Sequence, residues 1–467
     1  MANGAQRFSN RAERLFLALF PSPFAIALSL TALTFGMALI FTGKEQEPFG
    51  ELLVRTVGYW YDGLWNTPML AFAVQTMLML ILGHVLAITP AVSRVIDVVT
   101  SRYCDSNARA AFTVTLLTVL VALFNWGLGL IFGAIFAMKV GENAARRGIP
   151  INYPLIGAAG FSGLMVWHGG ISGISLAKAA EPGHLLGLMP DESPFRSAVP
   201  QYLTYSETIF SPMNVSVAIA LVVILPTAMY VLAQKMHREV PTLIETAASH
   251  EADTPAKGAE RLDTSEYVGR IIGGLFLLVV LYKAWSHPLA AQMGFIDPNW
   301  INMMLLGLAL CLHGSLRAFG RAVDMAISGA AGILVQFPLY FGIMGIMTGS
   351  GLVQMMSDFF VNISSPTTYP VLTFLSAALI NIFVPSGGGQ WAIQGGIIVN
   401  SAAELGLPLS KPILAMAYGD QVTNMLQPFW ALPLLGITKL KAKEILPYTL
   451  YLMLAGGLIF SLALLVF

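Results

Sequence analysis

Residues 123–173 read LFNWGLGLIFGAIFAMKVGENAARRGIPINYPLIGAAGFSGLMVWHGGISG, and residues 381–431 read NIFVPSGGGQWAIQGGIIVNSAAELGLPLSKPILAMAYGDQVTNMLQPFWA. One constant offset sets Gly148-Ile149-Pro150-Ile151 on Gly406-Leu407-Pro408-Leu409, Pro154-Leu155 on Pro412-Ile413, and Gly129 on Gly387. Each copy holds an apolar stretch broken by a polar, glycine-bearing tip, then a short connector with two prolines. A second apolar stretch, interrupted by polar residues, follows. Interrupted hydrophobic segments at matching positions of two halves point to the binding site of a secondary transporter.

The rest of the chain fits a membrane. It is 56% hydrophobic and 11% charged, with a mean hydropathy of +0.71, whereas soluble domains carry about 25% charged residues. A soluble chain of 467 residues could not cover its surface with so few charges. A polytopic membrane protein in a lipid bilayer is expected, with no nucleic-acid partner and no cofactor. Cys104 and Cys311 lie far apart and read as packing residues, neither a metal motif nor a disulfide framework. The first 20 residues carry Arg7, Arg11 and Arg14 but no small-residue cleavage site, so a cleaved signal peptide is not expected. No HExxH, Walker A or GxSxG motif supports hydrolase or ATP-driven chemistry. The breaks hold no nucleophile–base pair, and an enzyme is not expected.

Full apolar spans fall at 24–42, 69–89, 212–233, 267–286, 300–316, 327–347 and 447–467, each near the roughly 20 residues a helix needs to cross the hydrocarbon core. Between them lie four irregular pieces, 110–139, 154–178, 370–403 and 411–437. Basic residues mark the cytoplasmic side. Arg7, Arg11 and Arg14 place the N-terminus inside, and the acidic loop from Lys44 to Asp62 lies outside. The groups Arg94, Arg102, Arg109 and Lys139, Arg146, Arg147 are both inside, so 110–139 enters and leaves on one face as a re-entrant hairpin with Asn125–Gly129 at its tip. Acidic residues Glu181, Asp191, Glu192 and Glu207 fall outside. Lys235 with Arg238, Arg317 with Arg321, and Lys439, Lys441 and Lys443 fall inside. Of the 25 Lys and Arg residues, all but Lys44, Arg55, Lys178, Arg196, Lys283 and Lys411 are then cytoplasmic, and the C-terminus is periplasmic.

The expected fold is an all-α polytopic membrane protein of two inverted repeats, each with a re-entrant helical hairpin and a broken transmembrane helix. The first repeat covers 1–235, with hairpin 110–139 and broken helix 154–178. A cytoplasmic linker follows at 236–266 and a connecting transmembrane helix at 267–290. The second repeat covers 300–467, with hairpin 370–403 and broken helix 411–437.

Irregular backbone inside a membrane is tolerated only where it is buried in protein or lines a polar cavity. Four interruptions at matching depth therefore imply one shared cavity. Helix N-termini there suit an anion and free carbonyls a cation. The expected substrate contacts are Asn125, Trp126 and Gly127 at the first tip, and His168, Gly169 and Ser172 at the first break. At the second tip they are Ser386, Gly387, Gly388 and Gln390, and at the second break Asn424 and Gln427. No Lys or Arg sits in any of the four, so dipoles and amides would hold a small, singly charged group. Trp126, Trp167 and Trp391 lie close by and either wall a short apolar tail or pack between helices. Ionisable residues inside spans are candidate functional groups. Asp420, with Thr423 and Asn424, is the expected site of the coupling cation, Na+ or H+; a structural carboxylate is the alternative. His168 reads as a carboxylate donor or proton shuttle, or as a satisfied core histidine. His84 and His313 read as ends of ordinary spans, and Lys283 as snorkelling.

The stretches WHGGISGISLAKAAEPGH (167–184), NIFVPSGGGQWAIQGGIIVNSAAELG (381–406) and YGDQVTNMLQPFWALPLLGI (418–437) resemble the bacterial short-chain fatty acid transporter family, as do the N-terminal RAERLF and PSPFAIALSL stretches. The resemblance runs the length of the chain. It places the chain in the ion-transporter superfamily, with the divalent-anion/sodium symporters. It implies an inner-membrane carrier of small monocarboxylates such as acetoacetate, butyrate or acetate. It further implies a homodimer with scaffold and transport domains, and elevator-type alternating access, with 110–180 and 370–437 as the transport domain. One departure stands out. The superfamily's dicarboxylate carriers have Ser-Asn-Thr at each tip, where this chain has Asn125-Trp126-Gly127 and Pro385-Ser386-Gly387-Gly388, so their ligand geometry does not transfer. A same-scaffold carrier for a C4-dicarboxylate or amino-acid derivative, and a channel, are the rival readings.

Overall fold

The computed structural model describes residues 21–189, 193–242, 258–288 and 295–467. Arg7, Arg11 and Arg14, Asp191 and Glu192, and residues 243–257 of the expected linker lie outside the described residues. Among the described residues the chain is helical throughout, with one isolated antiparallel bridge between Ile151 and Glu239.

The helices of the first half are α1 Pro23–Phe41, α2 Phe49–Leu64, α3 Thr67–Ala87, α4 Pro90–Tyr103, α5 Asn107–Phe124, α6 Trp126–Arg147, α7 Tyr153–Phe161, α8 Ile174–Ala179, α9 His184–Gly187 and α10 Pro212–Lys235. The second half follows with α11 Arg261–Thr264, α12 Glu266–Ser286, α13 Pro298–His313, α14 Leu316–Ile327, α15 Ala331–Gly349, α16 Leu352–Asn362, α17 Tyr369–Asn381, α18 Gly387–Glu404, α19 Ser410–Thr423, α20 Pro428–Thr438 and α21 Ala442–Val466. Local chemistry sets many of the starts. Ser22, Asn66, Ser106, Ser211, Asp297 and Ser315 each turn a side-chain oxygen onto an open amide of the first turn, and α1, α3, α10 and α13 carry proline there.

Eight helical stretches among the described residues are long and apolar enough to cross a membrane, with α2 and α3 counted as one. Their outer faces are greasy. On α12 only Gly269, Gly273 and Val280 are buried, while Ile271, Leu275, Leu278, Leu281 and Trp285 are exposed. Water would not tolerate such a face; lipid does. The protein is a multi-pass membrane protein.

Lipid is as apolar as leucine, so close packing and hydrogen bonds hold such helices together. Small residues supply the approach. A Cβ at Gly63 of α2 would lie 2.5 Å from the Phe341 carbonyl of α15, and Gly345 leaves no room against the Tyr59 carbonyl. Gly133 of α6 and Gly160 of α7 press reciprocally on each other's carbonyls.

Several expectations need correction. Residues 49–64 are helical and pack on α15, not a loop running from Lys44 to Asp62. The stretch with Arg94 and Arg102, expected as a cytoplasmic loop, lies on α4, while Arg317 and Arg321 lie on α14 and residues 352–362 form a helix, neither of which is expected from the apolar runs. Each of the four is amphipathic or carries charge, which a search for unbroken apolar runs passes over. At the first tip Asn125 alone lies outside the helices, since Gly127 and Gly129 already belong to α6. The first break also begins earlier than His168, with 3₁₀ turns at Ser162–Met165 and Trp167–Gly169.

Polar contacts gather the chain ends into two groups. Asn107, at the foot of α5, donates to the Ala233 carbonyl of α10 and accepts from the Asn152 amide. Asn152 donates to the His237 carbonyl and to Tyr448 Oη of α21, and Tyr153 Oη donates to the Thr438 carbonyl. The foot of the α5–α6 hairpin thus shares one face with the ends of α10 and α20. A different set meets around the α17–α18 hairpin. Ser193 donates to Asn400 at 2.6 Å, and the Trp391 indole N–H donates to His184 Nε2 at 2.9 Å.

Candidate functional site

Each hairpin turns on an extended residue that caps the returning arm. Asn125 (φ −150°) accepts from the Leu128 amide at 3.0 Å. Ser386 (φ −144°) accepts from the Gly389 amide at 3.2 Å. α6 and α18 therefore both begin inside the protein, with the positive ends of their dipoles there. The repeat offset that aligns Gly129 with Gly387 would set Asn125 on Phe383, so the two caps are out of register and the second tip is the longer.

The first tip is tied to the first break. The Trp126 amide donates to Ser172 Oγ at 2.9 Å, and the Ile171 amide donates to the Leu123 carbonyl at 2.9 Å. Gly170 lies so close that a Cβ would meet the Leu123 carbonyl at 2.5 Å. Gly127 faces Met79 of α3.

The second hairpin is tied to the second break through Asn381. Its amide nitrogen lies 2.8 Å from the Asp420 carbonyl, 3.0 Å from Thr423 Oγ1 and 2.8 Å from Asn424 Oδ1. Its backbone carbonyl accepts from Gln427 Nε2. Thr423 also donates to the Ala378 carbonyl, and Asn424 Nδ2 donates to Asp420 Oδ1 at 3.3 Å. In this conformation Thr423, Asn424 and Gln427 therefore hold hairpin to break.

The two breaks meet each other. Gln421 Oε1 accepts from the His168 and Gly169 amides at 3.0 and 3.3 Å. His168 Nε2 lies 3.1 Å from Asp420 Oδ1, an ion-pair distance outside hydrogen-bond geometry. Asn214 of α10 donates to the Gly169 carbonyl and accepts from Tyr418 Oη at 2.9 Å. The His168 ring fills the space where Gly387, the first residue of α18, would carry a side chain. The second tip and both breaks thus meet at His168 and Asp420, which are 2% and 1% exposed, and the first tip joins them through Ser172 and Gly170 of the first break.

Beside this polar centre lies an aromatic cluster. Trp167 and Trp430 have ring centroids 4.9 Å apart, and Trp126 lies 5.3 and 5.6 Å from them. Phe72 of α3 reaches Trp126, Trp430 and Phe337, and Phe337 stacks on Phe429 at 3.8 Å. Several buried polar atoms have no hydrogen-bond partner among the described residues: Trp167 Nε1, Trp430 Nε1, His168 Nδ1, Asp420 Oδ2 and Asn381 Oδ1. A buried group left unpaired costs about 1–3 kcal/mol, and these atoms are free to meet a ligand or proton.

Two expected members stand apart. Gln390 donates into hairpin 2, to the Ala377 carbonyl and Gln394 Oε1. Trp391 packs with His184, whose pKa burial lowers from the ordinary 6.5, in keeping with a neutral nitrogen accepting from the indole. Gly388 is roomy, with Ile174 3.8 Å from a built Cβ. Sequence reading missed Asn381, Gln421, Asn214 and Trp430. Asn381 is a lone polar residue inside an apolar run and Gln421 stands next to Asp420, both readable signals. Asn214 lies in the first turn of an ordinary span, and Trp430 gives no polar signal.

The chain matches the family described as "Short chain fatty acid transporter" over residues 5–467. It is 36% identical over 471 residues to a "Putative short-chain fatty acid transporter" of Escherichia coli, covering 99% of each chain. It is 35% identical over 453 residues to a protein of the same name from Haemophilus influenzae, covering 95% of this chain and 96% of that one. Among solved structures, the YdaH transporter of Alcanivorax borkumensis is 15% identical with a TM-score of 0.45, over 95% of this chain and 98% of that one. That likeness is too low to bear on the account.

Proposed function

The chain belongs to the short-chain fatty acid transporter family, and we propose that it is a proton-coupled symporter of short-chain monocarboxylates such as acetoacetate, butyrate or acetate. It is a transporter, not an enzyme. The observation that carries the reading is the joining of both breaks and the second tip at one buried centre, the first tip being tied to the first break, with unpaired donors and acceptors but no Lys or Arg at either tip or either break. Such a centre takes a small monoanion. A dianion, lacking a cation to meet it, would be costly to desolvate.

The carboxylate sits at the starts of α6 and α18, where helix dipoles and the indole N–H groups of Trp167 and Trp430 favour negative charge. The hydrocarbon tail lies among Trp126, Phe72 and Phe337. The proton rides on the Asp420–His168 pair. Sodium is the weaker reading, because Asn381 already engages the side-chain oxygens of Thr423 and Asn424, which such an ion would need.

The repeats are inverted in this reading. The α5–α6 hairpin enters from the cytoplasmic face, with Lys439 and the foot of α21, and the α17–α18 hairpin enters from the periplasmic face. The contacts of the two feet support this, since they fall in separate groups. The hairpins and broken helices form the moving domain of an inner-membrane homodimer, and α1–α3 with α12–α15 form its scaffold. The relation to the divalent-anion/sodium symporters belongs to the same proposal.

The test is equilibrium binding of butyrate to Asn125→Ala and Ser386→Ala. Each loses a cap contact of about 1 kcal/mol and should stay folded. Affinity should fall about tenfold in both; unchanged affinity in both would move the site elsewhere.

A further inference from the structure

Away from the breaks, a cavity of about 70 Å³ lies between the end of α3, the lower half of α6, the start of α7, the α14–α15 turn and the end of α20. Its walls include His84, Glu142, Tyr153, Ser328 and Lys439. The mechanism uses none of them.

Three observations bear on what this cavity holds. First, its charge is a single uncompensated cation. Glu142 is paired with Lys139 at 2.8 Å, while Lys439, an exposed residue, makes no ion pair or side-chain hydrogen bond among the described residues. Second, Lys439 caps α20 in the left-handed conformation, at φ 59° and ψ 15°. Glycine takes a similar φ after α6 and α18, at Gly148 and Gly406, both 65°. A lysine in a conformation that glycine takes without strain marks a position where the side chain matters. Third, the walls come from both proposed domains: His84 and Ser328 from the scaffold, Glu142, Tyr153 and Lys439 from the moving part. The two meet tightly here, because a Cβ at Gly329 would lie 3.1 Å from the Gly436 carbonyl.

We propose that this cavity is a second anion site, a vestibule in which Lys439 and His84 hold a small monocarboxylate between the central site and the cytoplasmic face. The volume suits a carboxylate of a few carbons, and the lone positive charge suits a monoanion. Tyr153 is not a donor to it, since its hydroxyl is committed to the Thr438 carbonyl at 3.1 Å. The inference rests on the transport function and topology proposed above.

Butyrate uptake into right-side-out and inside-out vesicles separates the two faces. Lys439→Gln and His84→Gln should raise the half-saturating concentration at the cytoplasmic face at least fivefold and leave the periplasmic value within twofold. Lys439→Arg should restore it. Lys439→Gly relaxes the backbone and should behave like Lys439→Gln, which separates the side chain from the strain. Equal shifts at both faces, or none at either, overturn the vestibule. Wild-type vesicles that carry no butyrate from either side overturn the transport reading itself, and the vestibule with it.

Discussion

Gly387 leaves the space that the His168 ring occupies. That one contact brings the second tip onto the first break, across residues far apart in sequence. A methyl group there must push the ring away from Asp420. Gly387→Ala should cost about 1–3 kcal/mol of stability and lower uptake at least tenfold. The neighbouring Gly388→Ala, with open space around it, should change either by little. Thermal unfolding and uptake of the two variants check the contrast; equal effects would mean that the His168 contact is not what matters. At this scale the sequence was partly legible. Asp420 and His168 stand out because an ionisable group inside an apolar segment is expensive, and they are adjacent. Their surroundings were not legible, because a polar side chain such as Gln390 declares its presence but not which way it faces. Trp430 gave no signal at all, since an aromatic in an apolar run reads as packing.

Among the elements, the hairpins and broken helices were readable because glycine and polar residues interrupt otherwise apolar runs. The amphipathic α4 and α14 were not, since a helix lying along a surface shows only half its residues as apolar. The extra turn of irregular backbone from Ser162 to Met165 was also invisible, because its residues are as small and apolar as those of the helix before it. Polarity of the hairpins supplies the prediction at this level. A cysteine at Gly388 should react with an impermeant thiol reagent from the periplasmic side, and one at Leu128 from the cytoplasmic side. Gly388 has room for the change, and Leu128 is only half-buried. Reaction of both from one side alone, in every state, would contradict oppositely directed hairpins.

For the whole molecule, packing in lipid rests on close approach and buried polar pairs, and this chain places its small residues accordingly. Gly63 with Gly345 binds α2 to α15 within the proposed scaffold, and Gly133 with Gly160 binds hairpin to broken helix within the proposed carrier. Between the two lie the aromatic cluster and the vestibule, the surfaces that a moving domain would slide across. Global charge bias in the sequence assigns each span an expected direction, which the labelling above tests. It could not show that the polar centre would be buried against α3 and α15, because that depends on side-chain packing across both halves.

The central claim is that the buried Asp420–His168 centre couples a proton to a small monocarboxylate. Butyrate uptake into proteoliposomes, with proton and sodium gradients imposed separately, tests it most directly. The account predicts accumulation driven by the proton gradient alone, and its loss in Asp420→Asn with the protein still folded. Accumulation driven only by sodium, or a proton-driven uptake that Asp420→Asn leaves intact, would contradict it.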